Sequence, residues 1–205
     1  ALDSNKKKIK VLDSVKKHII FDGWNKKIFD KAIKDSNLSK NELFKLFPKG
    51  HVDLLKFYIN ESEKNMMSSS KKLNFTRTKT SERISEIINL RLKKNIDERE
   101  LVYKTFKYLK LPQNAKLGLK SLYNTVDNIW YLAGDNSTDF NFYTKRLILA
   151  GIYTTTLIFW FNDRSENQIK TKEYLFNKLK KTSIIPKVKN SLGTIIGSVP
   201  KIRSI

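Results

Sequence analysis

Leu147 to Phe161 reads LILAGIYTTTLIFWF and is apolar around most of its circumference, so as a helix it tolerates no broad solvent-facing side. Such a helix must be enclosed on several sides, either as the central element of a bundle or by sharing one face with a second copy. Ala150, Gly151 and Thr154 allow close backbone approach on one face, a surface that two copies can share across a two-fold axis. The run falls short of the roughly 20 residues that span a bilayer and contains Gly151 and three threonines, so it is not read as a membrane span.

The rest of the chain has the same period. Only four prolines and seven glycines interrupt 205 residues, and no alternating run flanked by hairpin turns suggests a strand. Helices are expected over about 6–20, 25–36, 39–46, 51–69, 80–94, 98–110, 115–132, 139–162 and 168–182, giving an all-α fold. Leu111-Pro112 separates two of them, because proline pushes its predecessor toward extended geometry. Leu119, Leu122, Tyr123, Val126, Ile129 and Trp130 form one stripe; Gly134 suits its stop and Thr138 or Asp139 the next N-cap. The polar, lysine-rich stretch from Ser68 to Thr80 marks a boundary between an N-terminal unit, 1–68, and a larger bundle, 69–183.

Within the N-terminal unit, Ile28, Phe29, Ala32 and Ile33 form one helical stripe, Asn37-Leu38-Ser39 a turn, and Leu43, Phe44, Leu46 and Phe47 the next stripe. This is a helix-turn-helix pattern. Together with Phe47-Pro48-Lys49-Gly50 and Leu54, Leu55 and Phe57, it resembles the N-terminal region of TetR-type regulators. If the second helix read DNA, Lys40, Asn41 and Lys45 would be its contacts, whereas Glu42 would approach phosphate with the wrong sign. The alternative is a three-helix packing module with no nucleic-acid role.

The net charge of +21 and pI near 10 favour an anionic partner: nucleic acid, an anionic membrane surface or an acidic protein. Charge does not choose among them, and lysine-rich solvated helix faces account for part of the excess. After Thr182, Ile184, Ile185, Val188, Leu192, Ile195, Ile196 and Val199 supply the apolar positions of a helix, with Lys187, Lys189, Lys201 and Arg203 around them. A basic amphipathic helix over 184–205 is the form an interfacial membrane anchor takes; folding back onto the body is the alternative.

Several chemistries are excluded or unsupported. Without cysteine there is no disulfide, thiolate nucleophile or sulfur-ligated metal, and a reducing intracellular compartment fits. No secretory signal precedes the first helix, and a start at Ala1 fits a native terminus as well as a processed or trimmed one. His18 and His51 lack a carboxylate cluster, and there is no Glu-x-x-His pair, P-loop, G-x-S-x-G or dinucleotide fingerprint. Asp127, Asp135 and Asp139 read as a helix polar position, a turn residue and a cap rather than as an acid–base set. No metal and no cofactor is expected. The interior is expected to be lined by Ile88, Leu92, Leu122, Val126, Ile129, Trp130, Ile148, Ile152, Tyr153 and Phe159, a pattern that fits a filled core as well as an open pocket.

The segment Leu122-Tyr123, Val126-Asp127-x-Ile129-Trp130, Ala133-Gly134-Asp135, Ser137-Thr138-Asp139-Phe140-Asn141 and Tyr143-Thr144-x-Arg146 closely resembles the lipid-binding accessory protein family of ubiquinone biosynthesis. The likeness extends from Trp24 through Leu38-Ser39, Phe47-Pro48-x-Gly50 and Arg91-Leu92 to Leu149-Ala150, Tyr153, Thr155-Thr156 and Asp163. It implies a TetR-like, normally dimeric fold that is not an enzyme and binds isoprenoid lipid in its bundle. It also implies membrane association through a C-terminal amphipathic helix and support of the demethoxyubiquinone hydroxylase. The partner-binding residues carried over are Asp135, Ser137, Thr138, Asp139, Phe140, Asn141, Phe142, Tyr143 and Arg146, with Phe142 standing where some members have tryptophan.

The implied role is to take an isoprenoid quinone precursor from the membrane and present it to that hydroxylase. The implied location is peripheral to the bacterial inner membrane, or the matrix side of the mitochondrial inner membrane. A TetR-type DNA-binding regulator answering to an apolar ligand is the alternative, although sequence-specific nucleic-acid binding is not expected.

Overall fold

The structure is a computed structural model, and it describes residues 2–135 and 140–182. Among the described residues nine α-helices run in order: α1 (Leu2–Asp22), α2 (Lys26–Asp35), α3 (Lys40–Leu46), α4 (His51–Ser70), α5 (Thr80–Lys94), α6 (Arg99–Leu109), α7 (Ala115–Leu132), α8 (Phe140–Asn162) and α9 (Ile169–Thr182). No strand occurs among the described residues, and the all-α reading of the sequence holds.

Local chemistry sets the helix ends. Asn25 caps α2, its side chain accepting the Lys27 N–H at 2.8 Å. Ser39 and Glu42 form a reciprocal capping box on α3: Ser39 Oγ accepts the Glu42 N–H at 3.3 Å and Glu42 Oε2 accepts the Ser39 N–H at 2.9 Å. Glu42 therefore does a structural job that the sequence reading had not given it. At the end of α7, Gly134 has φ 85°, a left-handed conformation that glycine adopts without strain.

Two apolar cores share the helices between them. The smaller gathers Val11, Val15 and Ile19 of α1, Ile28 and Phe29 of α2, Leu43 of α3, Leu54, Leu55 and Tyr58 of α4, and Leu101 of α6. The larger gathers Ile84, Ile87, Ile88 and Leu92 of α5, Val126 and Ile129 of α7, Leu149, Ile152, Tyr153 and Trp160 of α8, and Leu175 of α9. Helix α4 enters both, since its last turns supply Met66 to the larger core, and Ser69 and Ser70 are buried there. A hydrogen bond from Trp24 Nε1 to Thr105 Oγ1 at 2.9 Å ties the smaller core to α6.

Candidate functional site

Between the two cores lies a cavity of about 420 Å³, walled by α4, α5, α6, α7 and α8 and lined mostly by apolar side chains. Its volume falls in the range of small-molecule sites. The buried end is formed by Tyr58, Leu92, Thr105, Thr125, Tyr153 and Trp160; the exposed residues Lys110, Ala115 and Leu119 form its rim. The α6–α7 wall depends on Gly118, where a Cβ would stand 2.7 Å from the Leu109 carbonyl oxygen.

One ion pair interrupts the apolar lining. Arg91 Nη1 donates to Glu63 Oε1 at 2.7 Å, with the two side chains only 11% and 13% exposed. Thr125 Oγ1 also donates to Glu63 Oε1, at 2.6 Å, and Asn128 Nδ2 to Glu63 Oε2, at 3.1 Å. Burial opposes the Arg91 charge, but Tyr153 and Glu63 beside it outweigh that effect and hold its pKa above the ordinary arginine value.

Of the interior residues picked from sequence, Leu92, Leu122 and Tyr153 line this cavity. Ile88, Val126, Ile129 and Ile152 are buried in the larger core, and Ile148 packs against it half-buried. Trp130 is half-buried at the α7–α8 corner, donating its indole N–H to the Lys145 carbonyl at 3.2 Å. Phe159 lies on the outer side of α8, stacked on Tyr174 with ring centroids 4.7 Å apart. The sequence reading missed the α4 and α6 walls. A signal was present: Arg91 and Glu63 place charges on helix faces otherwise marked by Ile87, Ile88, Ile59 and Met66, where a charge needs a partner.

The α7–α8 corner is an ion-paired joint. Arg146, 4% exposed, donates from Nε to Asp127 Oδ1 at 2.6 Å, from Nη1 to Asp135 Oδ2 at 3.4 Å and from Nη1 to the Phe142 carbonyl at 3.1 Å. Its guanidinium carbon lies 3.3 Å from the Phe142 ring centroid. Lys145 Nζ donates to Asp135 Oδ1 at 2.7 Å. Of the carried-over partner residues, Asp135 and Arg146 thus face inward, Phe142 is half-buried, and Tyr143 is 67% exposed. Ser137, Thr138 and Asp139 lie outside the described residues, as do the side chains of Phe140 and Asn141.

Elsewhere, Lys40, Asn41 and Lys45 are exposed on α3. His18 Nε2 contacts Asp35 Oδ2 at 2.7 Å and His51 Nε2 the Tyr108 hydroxyl at 3.1 Å. Burial, with Lys26 nearby, lowers the His51 pKa. No metal-ligand cluster occurs among the described residues, and no helix there is long and apolar enough to cross a membrane. Leu147, Gly151 and Ile158 are exposed along one side of α8 and Phe176 is exposed on α9, while Ala150 and Thr154 are half-buried. The amphipathic positions Ile184, Ile185, Val188, Leu192, Ile195, Ile196 and Val199 lie outside the described residues.

Residues 115–185 match the COQ9 family model. The mitochondrial ubiquinone biosynthesis protein COQ9 of Rattus norvegicus is 39% identical over 101 residues, which is 49% of this chain and 32% of the rat protein. Its counterpart in Schizosaccharomyces pombe is 29% identical over 189 residues, 91% of this chain and 74% of the yeast protein. The chain thus spans about a third of the rat and bovine proteins it matches, at 32% of each. A TetR transcriptional regulator from Nitrosomonas europaea superposes with a TM-score of 0.69 at 17% identity, covering 86% of this chain and 97% of the regulator.

Proposed function

We propose that this chain, which carries a COQ9 domain on a TetR-like fold and is a homologue of the ubiquinone biosynthesis protein COQ9, is a non-enzymatic lipid-binding accessory protein of that pathway. The observation that carries this reading is the largely apolar cavity between the two cores, lined by buried Tyr153 and Trp160 and by exposed Leu119. An isoprenoid tail moved through water loses about 0.8 kcal/mol for each CH₂ exposed, so unassisted transfer of a quinone precursor is prohibitive. A bundle that accepts the head and the nearest part of the tail removes that barrier.

In this reading the chain takes the precursor from a membrane surface and hands it to the demethoxyubiquinone hydroxylase. The basic segment 184–205 supplies the attraction to anionic lipid. Docking of the hydroxylase falls on the α7–α8 corner, where Tyr143 offers an exposed ring. The relatives named above are mitochondrial proteins, which supports the mitochondrial of the two locations that the resemblance implies. The exposed side of α8 carrying Leu147, Gly151 and Ile158 supports a homodimer.

Native mass spectrometry of the chain purified from ubiquinone-producing cells tests the central point. A bound isoprenoid is expected, and it should be lost from Leu122→Trp, which fills the cavity while leaving the corner intact. Protein that carries no lipid and takes up none from vesicles would exclude the reading.

A further inference from the structure

The buried end of the cavity is more polar than a hydrocarbon tail requires. Tyr58 comes from the smaller core and Tyr153 from the larger; they are 7% and 5% exposed, and both line the cavity. Neither hydroxyl makes a hydrogen bond among the described residues, although buried phenols ordinarily find a partner. Burial raises the pKa of both, so each is a protonated donor at neutral pH.

The adjacent Glu63–Arg91 pair differs in this respect. Its charges are matched to each other at 2.7 Å, and Thr125, Asn128 and Ser62 take up further bonding positions. Arg91 also lies over the Tyr153 ring, 5.8 Å from its centroid. The pair is neutral as a whole, so it holds no spare positive charge for an anion. A carboxylate or phosphate entering here would meet Glu63 in a low-dielectric site, and like charges repel strongly there. A cationic head would meet Arg91 with the same result. A wholly apolar end would leave the two hydroxyls unbonded.

We propose that Tyr58 and Tyr153 bind the uncharged, oxygen-bearing head of an isoprenoid amphiphile at the buried end of the cavity, and that the matched Glu63–Arg91 pair excludes charged heads. This assignment rests on the reading of the cavity as a lipid site. It fixes the orientation of the ligand, with the head innermost and the tail running toward Leu119 and the rim.

The test compares three probes with the same fifteen-carbon skeleton on the full chain: farnesol, farnesoic acid and the head-free hydrocarbon farnesane. Binding is measured by competition in native mass spectrometry. Farnesol is expected to bind about tenfold more tightly than either of the others, the range of one hydrogen-bonded buried group. The double variant Tyr58→Phe, Tyr153→Phe removes two unbonded hydroxyls and should fold at least as stably. It is expected to reduce farnesol to the level of farnesane. Glu63→Gln leaves Arg91 unmatched and is expected to shift preference toward farnesoic acid.

Equal binding of all three probes, or unchanged farnesol binding by the double phenylalanine variant, overturns the head-group assignment while leaving the lipid site in place. Failure of all three to bind overturns the lipid site itself.

Discussion

Arg146 and Asp127 meet across the α7–α8 corner at 2.6 Å, and the same guanidinium reaches Asp135 and the Phe142 carbonyl. One buried side chain thus holds the end of α7, the turn after it and the first turn of α8 in a fixed relation. Arg146→Met is expected to destabilise the fold by roughly 3 kcal/mol in chemical denaturation, because Asp135 would keep its burial and lose a partner. Asp127→Asn should lose less, since Asp127 is 40% exposed. Equal losses for the two would show that the guanidinium is not the organising group.

Gly118 of α7 lies against the Leu109 backbone of α6 in the wall of the cavity. An alanine methyl there would stand 2.7 Å from the Leu109 carbonyl oxygen, a backbone atom that cannot swing aside. Gly118→Ala is expected to lower stability by about 1–3 kcal/mol and to weaken lipid uptake. A thermal midpoint matching the parent would show that the two helices lie further apart than described.

Asp163 accepts hydrogen bonds from the backbone N–H and hydroxyl of both Ser165 and Thr171, joining the end of α8 to the start of α9. Burial pushes this carboxyl up, but the bonds from Ser165 and Thr171 overcome it and hold the pKa well below the usual range. A carboxyl depressed in the fold contributes stability that is fully present above its unfolded value of about 4 and is lost as pH falls toward the folded value. Asp163→Asn is therefore expected to lose roughly 2 kcal/mol at pH 7. The gap to the parent should narrow below about pH 4. A gap independent of pH in urea titrations would remove the ionised carboxylate from this role.

Tyr143 presents an exposed ring at the corner, 67% accessible and edge-on to Phe142 at 5.1 Å between centroids. Tyr143→Ala should change stability by no more than about 0.5 kcal/mol, as surface substitutions do. Surface plasmon resonance against the demethoxyubiquinone hydroxylase is expected to register a loss of affinity. Unchanged affinity would move the docking surface away from this corner.

The helices were legible from sequence because their signals are local. Caps, glycine stops and three-to-four spacing place α7 at Ala115–Leu132, where the stripe beginning at Leu119 predicts it. Rotation about the helix axis was harder to read. Helix α8 is apolar on nearly every side, so its pattern carries no phase, and Phe159 was expected inside although it stacks on Tyr174 at the surface. Whether the expected interior is a filled core or an open cavity was not legible for a related reason: an apolar stripe looks the same whether it faces a side chain or a void. Glu63 and Arg91 lie 28 positions apart on different helices, and only the packing of α4 against α5 reveals that they are partners.

Helix α4 contributes Leu54, Leu55 and Tyr58 to one core and Met66 to the other, and Leu101 of α6 is buried with the first. Neither half can therefore melt without stripping the other of part of its interior, so denaturation should follow a single cooperative transition. Free energy released by a molecule seated in the cavity would be distributed along α4 to the helix pair α2–α3. Amide protons on that distant pair would then exchange more slowly when the cavity is full, giving the bundle a readout of its cargo far from the place where the cargo sits.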